Sequence, residues 1–470
     1  MAQQVQPQVG IDGARGGGVE VDADAGAVDA HLACGVDGLQ GLQLRGEGFL
    51  VVIVAAQLRV GEPRVEDLAG EGPGHQAEPT GPSGRRRVGR LGRHTGQPRR
   101  PPRIGRVTTM PAKVDLSQDV VSLTAAICDI ESVSLGEAAL ADAVEAALSG
   151  LAHLHVTRLG NTVVARTELG RPERVVLAGH LDTVPLTVDP ANLPTRRVTS
   201  GGVDTLWGRG TVDMKGGVAV LLRVARLLPE PTRDITFVCY EAEEIDSRFN
   251  GLLHVQQQRP ELIADAAFAV LLEPTDAQVE GGCKGTLRAE VTLKGIAAHS
   301  ARPWKGHNAI HDAAEVLRRL AAYQPQTRVV DALEYREALN AVLISGGTAT
   351  NVIPDRCVVT VNYRYAPSVS EEEAEAHVRS VFDGFDIAVV DNAAGARPGL
   401  HLPAAQAFVA ALGLEVVAKQ GWTDVARFSA MGVPAVNFGP GDPNLAHMDD
   451  EQCPVWQYEK CEAALLRWLG

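Results

Sequence analysis

Residues 174–185 read RVVLAGHLDTVP, residues 206–217 read LWGRGTVDMKGG, and residues 234–244 read DITFVCYEAEE. The apolar runs in the first and third stretches show no polar alternation, as expected of strands covered on both faces in a mostly parallel sheet. All three stretches carry acids or a histidine: His180 and Asp182, then Asp213, then Glu243 and Glu244. GGVAVLLRVARLL after Asp213 has helical spacing, and FAVLLEPT from Phe268 supplies a further buried strand. Strands alternating with helices indicate an α/β chain with helices on both faces of a mixed, mostly parallel sheet.

Upstream of this block, VDLSQDVVSLTAAICDI reads as a helix. Ser134-x-x-Glu137 reads as a capping box opening a second helix, and LHVTRLGNTVVARTE reads as two short strands around a Gly-Asn turn. Downstream the pattern changes. GTLRAEVTLKG alternates like a half-exposed antiparallel strand, and a helix, two strands, an acidic helix and the strand DIAVVDN follow. That βαββαβ order predicts a ferredoxin-like α+β unit at 287–393, inserted between two parts of one catalytic domain, 110–286 and 394–470.

Residues 1–109 are different in kind. Up to Ala112 there is no Lys, Tyr, Trp or Asn, and the segment ends in GRRRVGRLGRHTGQPRRPPRIGR, which has no strand or helix period. It is expected to be solvated coil, either a disordered basic arm or upstream reading frame from a GC-rich genome preceding a true start at Met110.

Composition narrows the function classes. A net charge of −14 on 470 residues argues against a nucleic-acid binder. FLVVIVAA, the longest apolar run, is far short of the roughly 20 residues a membrane span needs. Seven cysteines without a CxxC pair point to reduced thiols in a cytosolic protein.

Ligands of open α/β sheets gather beyond the carboxyl ends of the strands, where His180, Glu243, Glu244, Glu273 and His447 are all expected. Asp213 lies in a loop entering a helix. Imidazoles and carboxylates in this number suit a pair of zinc-like divalent ions. Asp182, two residues beyond His180, points the same way and can hold the other imidazole nitrogen. Adjacent Glu243 and Glu244 point apart, so one can bind metal while the other takes a proton from water.

HLDTVP, GRGTVDMKGG, EAEE, LLEPT, GIAAHSARP and AHMDDE together resemble the di-zinc aminoacylase/carboxypeptidase family, over essentially all of residues 114–470. The resemblance implies a homodimeric, cytoplasmic hydrolase of small N-acyl amino acids holding two zinc or cobalt ions. His180 and Glu273 would bind one ion, Glu244 and His447 the other, and Asp213 would bridge them. Glu243 would be the general base and Asp182 would orient His180. The family's usual DEE reads AEE here, placing Ala242 before the base, with little harm expected because both glutamates remain. In the inserted unit, a lid and dimerisation domain by this likeness, His299 would reach the partner's site to stabilise an oxyanion. Asn351 and Arg364 would grip a substrate carboxylate, Lys284 is a candidate for a second anionic group, and Thr423 for a hydrogen bond.

Within that family the resemblance is strongest in VNYRYAP, GWTDVARF and GPGDPNLAHMDDE, and it implies removal of succinate from N-succinyl-LL-2,6-diaminopimelate. Acetylornithine or broader N-acyl-amino-acid hydrolysis is the alternative within the family. A non-catalytic binding relative is the alternative outside enzymes, and an intact Glu243 argues against it, since binding alone needs no base.

Overall fold

The computed structural model describes residues 113–470, together with the backbone of strands at Asp29–Cys34, Gln40–Gly46 and Phe49–Ala55. Those three strands pair as an antiparallel meander. The solvated coil expected of the basic stretch 84–106 lies outside the described residues.

In chain order, helices α1 (Val120–Cys128) and α2 (Ala138–Ser149) precede strands β1 (His155–Leu159), β2 (Thr162–Arg166) and β3 (Arg174–His180). Then come α3 (Lys215–Leu227), β4 (Asp234–Tyr240), α4 (Gly251–Gln258), β5 (Phe268–Leu271) and β6 (Val279–Gly281). The inserted unit runs β7 (Gly285–Lys294), α5 (Ala309–Ala322), β8 (Ala338–Gly346), β9 (Arg356–Tyr365), α6 (Glu371–Val381) and β10 (Asp386–Ala393). The chain closes with α7 (Pro403–Leu412), β11 (Val416–Ala418), α8 (Val425–Ala430), β12 (Ala435–Asn437) and α9 (Val455–Leu469).

The main sheet has eight strands in the order β11-β6-β12-β5-β3-β4-β2-β1. Its centre, β12-β5-β3-β4, is parallel, and β1 and β2 are an antiparallel edge. Every residue of β3 and β4 is buried. Successive β3 side chains enter opposite cores: Val175 and Leu177 pack with α1, α3 and α9, while Val176 and Ala178 pack with α4 and α8. The inserted unit has the sheet order β8-β9-β7-β10, all antiparallel, with α5 and α6 closing a separate core around Val291, Val361 and Tyr363. This is the ferredoxin-like order expected from the alternating pattern.

Two details of the DMKGG motif set the site's scaffold. The buried Lys215 ammonium donates to the carbonyl of Ile130 at 2.9 Å and lies 3.4 Å from that of Ile127, so it caps the last carbonyls of α1. Gly217 lets α3 begin against the end of β5, because a Cβ there would lie 2.0 Å from the Leu272 carbonyl oxygen, beside Glu273.

One expectation fails. Glu137 stands at the N-cap of α2 with no side-chain cap bond, so the Ser134–Glu137 capping box does not form. Glu137 instead accepts the Leu135 N–H at 2.8 Å, and Ser134 donates to Asp182 at 2.8 Å. The tertiary partner outcompetes the local cap.

Candidate active site

His180 ends β3, Glu243 and Glu244 follow β4, Glu273 follows β5, and His447 follows β12, so all five stand at one rim. Asp213 joins them from the loop before α3. His180, Asp213 and Glu273 form one group of ligand atoms within 4.8 Å of one another, and Asp213, Glu244 and His447 form a second. Asp213 belongs to both. His180 Nε2 lies 3.2 Å from one Asp213 oxygen, and His447 Nε2 lies 3.4 Å from the other. His447 also sits 2.9 Å from Glu244.

The residues fit a pair of divalent ions on two observations. The donor set is imidazole and carboxylate throughout. Glu273 Oε1 is buried without a hydrogen-bond partner among the described residues, a costly state for a carboxylate with nothing to bind. Glu243 belongs to neither group, yet it lines the cavity of about 590 Å³ that contains Asp213, Glu244, Glu273 and His447. Both adjacent glutamates thus line the cavity, and only Glu244 belongs to a ligand group.

Asp182 does more than orient the imidazole. Nδ1 of His180 lies 3.0 Å from the Asp182 carbonyl and 3.4 Å from its carboxylate. The same carboxylate accepts the backbone N–H groups of Glu243 at 3.0 Å and Glu244 at 3.1 Å. One buried acid thus holds His180 and the turn carrying Glu243 and Glu244 together. The turn it grips includes Ala242 at φ 56°, in the left-handed region that costs alanine about 1–2 kcal/mol. The departure from DEE therefore bears on backbone strain and removes no ligand.

Glu451 was not singled out from the sequence beyond its place at the end of AHMDDE. Its buried carboxylate accepts N–H groups from Gly210 and Val212, both at 2.9 Å, and Asp213 at 3.1 Å, and it pairs with Arg209 at 2.8 Å. It ties the loop of the shared aspartate to the segment carrying His447. Lys419, also unforeseen, pairs with Glu280 at 2.8 Å on the cavity wall and donates to the carbonyl of Pro274, next to Glu273.

The other expected residues are distributed unevenly. Arg364 lines a second cavity of about 560 Å³, which shares Glu243, Glu244 and His447 with the first. Its guanidinium donates to Asn362 at 2.9 Å. Thr423 lines the first cavity with its hydroxyl donating to Asn437 at 3.0 Å. Lys284 lines neither of these two cavities: it is buried, and its ammonium donates to the Arg336 carbonyl at 2.7 Å. His299 and Asn351 come together through the Ser300 N–H, which donates to the Asn351 carbonyl at 2.9 Å, but on an exposed corner of the inserted unit. Neither lines the two cavities at the rim. The expected carboxylate grip of Asn351 with Arg364 is thus divided within one chain. A further cavity, about 720 Å³, lies along α5 and the ends of β7 and β10, away from both ligand groups.

Charge at the rim couples to stability. Burial pushes Glu273 up to about 8, with Asp213 adding to the shift. Burial likewise raises Glu243 and Glu244. Hydrogen bonds donated to Asp213 and Glu244 raise His447 to about 10, and Asp182 and Asp213 hold His180 above its usual range against the opposing pull of burial. The folded metal-free chain therefore keeps protons that the unfolded chain sheds at 4.5 for glutamate and 6.5 for histidine. With more protons bound in the folded state, stability falls as pH rises across that window. In a chelator, the calorimetric midpoint is expected to drop from about pH 5 to about pH 8, and saturating metal, which displaces the same protons, should flatten the decline. A midpoint that climbs would mean these glutamates are already ionised in the folded chain.

Solved structures share the fold. A tripeptidase from Staphylococcus aureus superposes with a TM-score of 0.61 at 20% identity, over 76% of this chain and 98% of its own. A metallo-carboxypeptidase from Sulfolobus solfataricus gives 0.61 at 16% identity, over 75% and 98%. Sequence relatives are nearer. A putative succinyl-diaminopimelate desuccinylase from Mycobacterium tuberculosis is 52% identical over 360 residues, covering 76% of this chain and 99% of the relative. The succinyl-diaminopimelate desuccinylase of Corynebacterium glutamicum is 44% identical over 368 residues, covering 76% and 98%. Residues 176–470, which carry both ligand groups, match the description Peptidase family M20/M25/M40, and the chain belongs to that family.

Proposed function

We propose that the chain hydrolyses the amide of N-succinyl-LL-2,6-diaminopimelate to succinate and LL-2,6-diaminopimelate, a step of lysine and diaminopimelate synthesis. The observation that carries the reading is two ligand groups meeting at Asp213, with Glu243 left over beside them on the cavity wall. The names of the 52% and 44% identical relatives support the choice of substrate.

Zinc or cobalt suits the donor set. Bound there, two such ions would polarise the amide carbonyl and make water a competent nucleophile near neutral pH. Glu243 takes the proton of the attacking water and returns it to the leaving nitrogen as the C–N bond breaks. Asp182 keeps Glu243 and Glu244 in place through their N–H groups. Arg364 takes a substrate carboxylate with a planar fork of donors. Thr423 offers a hydroxyl at the cavity wall.

His299, with Asn351, acts in the site of a second copy of the chain. The exposed corner they occupy in their own chain supports this. So does the apolar surface of the inserted unit: β8 is a sheet edge exposing Val342, Leu343 and Ile344, and Ile296 and Trp304 are exposed nearby in sequence to His299. An edge of that kind is normally covered. The six cysteines of the described residues are free and buried, which suits the reducing cytoplasm. No helix among the described residues is long and apolar enough to cross a membrane.

The test is a substrate comparison on the full chain, metal-stripped and then loaded with zinc or cobalt. N-succinyl-diaminopimelate should be hydrolysed with a kcat/KM well above those for acetylornithine and simple N-acyl amino acids, and chelation should abolish the activity. Preference for acetylornithine would keep the metal chemistry and overturn the substrate. No turnover on any of them would favour the binding relative.

A further inference from the structure

The proposed substrate carries a carboxylate beside the amide nitrogen, another on the succinyl arm and a third at the far end of the diaminopimelate. One Arg364 fork does not account for them, and the Lys284 ammonium is already given to the Arg336 carbonyl. The cleft between the inserted unit and the metal rim offers a different cation. Arg288, on β7, lines the same cavity as Glu243, Glu244, His447 and Arg364.

Strand register explains how it gets there. In the antiparallel β7–β9 pair, Thr286 faces Arg364 and Arg288 faces Asn362. Residues 286 and 288 share one face of β7, and 362 and 364 share the same face of β9. Arg288 and Arg364 are therefore diagonal neighbours on the cleft face, at a Cβ separation of about 7–8 Å or somewhat less. Long side chains at that spacing can engage carboxylates several bonds apart in one ligand. On its other side Arg288 stands opposite Asp391 of β10, which also lines the cavity.

Arg288 differs from the other cleft guanidiniums in being uncommitted. Arg364 is tied to Asn362, and Arg427 is tied to Asp424 and Ser247. The Arg288 side chain has neither hydrogen bond nor ion pair among the described residues, and the residue is exposed to the cleft. We infer that Arg288 is a specificity-determining residue, holding either the succinyl carboxylate or the far diaminopimelate carboxylate while Arg364 takes another, so that the β7–β9 face reads two carboxylates together. The inference rests on the proposed desuccinylase reading and deepens it.

The test measures kcat and KM for wild type, Arg288→Ala and Arg288→Lys on three amides. These are N-succinyl-diaminopimelate, N-acetyl-diaminopimelate, which lacks the acyl carboxylate, and Nα-succinyl-lysine, which lacks the far one. Arg288→Ala should cut kcat/KM for N-succinyl-diaminopimelate about 10- to 100-fold, mainly through KM, as for loss of a hydrogen-bonded charge pair. It should compress the preference over one of the two analogues by the same factor. Compression against the acetyl amide identifies the succinyl carboxylate as the ligand, and compression against succinyl-lysine identifies the distal one. Arg288→Lys should restore part of the preference, which a purely structural role would not do. If wild type prefers the succinyl substrate and Arg288→Ala lowers all three substrates equally, or none, the inference falls and the desuccinylase reading stands. If wild type prefers the acetyl amide, both fall.

Discussion

Glu243→Gln is expected to keep both metal ions and lose kcat by about 10²–10⁴-fold, the usual worth of a positioned general base. The expectation rests on where this carboxylate stands. It lines both cavities at the rim but belongs to neither group of ligand atoms. Its backbone is held by Asp182 at 3.0 Å, so the substitution leaves the main-chain anchor intact and changes only the ability to accept a proton. KM should barely move, because an interaction used only in the transition state lowers kcat and kcat/KM together. Elemental analysis of the purified variant separates the roles: loss of one metal equivalent in step with activity would make Glu243 a ligand. An unchanged kcat would put the base elsewhere.

His299→Ala is expected to lower kcat about 10²–10³-fold, as for loss of an oxyanion donor, although in its own chain His299 does not line either rim cavity. The sharper result comes from mixing. In a mixed dimer with Glu243→Ala, one active site combines the intact base of the His299→Ala copy with the intact histidine of the other. Random exchange makes half of the dimers mixed, each with one repaired site, so activity should recover to about a quarter of wild type. Two nearly dead proteins would then produce a live one on mixing. Absence of recovery, with exchange verified by mass, would confine His299 to its own subunit or remove it from the reaction.

Much of this site is legible along the chain. His180, Asp213, Glu244, Glu273 and His447 lie at or beyond strand ends or in loops between regular elements, and parallel topology sends strand ends to one rim. That only one of Glu243 and Glu244 joins a ligand group also follows from local geometry. The ferredoxin-like unit announces itself by the change from continuous apolar runs to alternation at Gly285–Lys294, because a sheet covered on one face only must alternate.

What the chain alone left undecided was how polar side chains are spent, since that depends on partners distant in sequence. Ser134 has the local signature of a helix cap but serves Asp182, 48 residues away. Glu451 looks like one more acid in AHMDDE, yet it holds the Asp213 loop from across 238 residues. Lys284 and Arg288 lie four positions apart in one segment. Burial commits the first to a backbone carbonyl, while strand register turns the second, uncommitted, into the cleft. Residue types and strand ends therefore determined the chemistry this protein can attempt. Tertiary structure decided which charges remain free to meet a substrate, because a buried polar group must take whatever partner the fold brings to it.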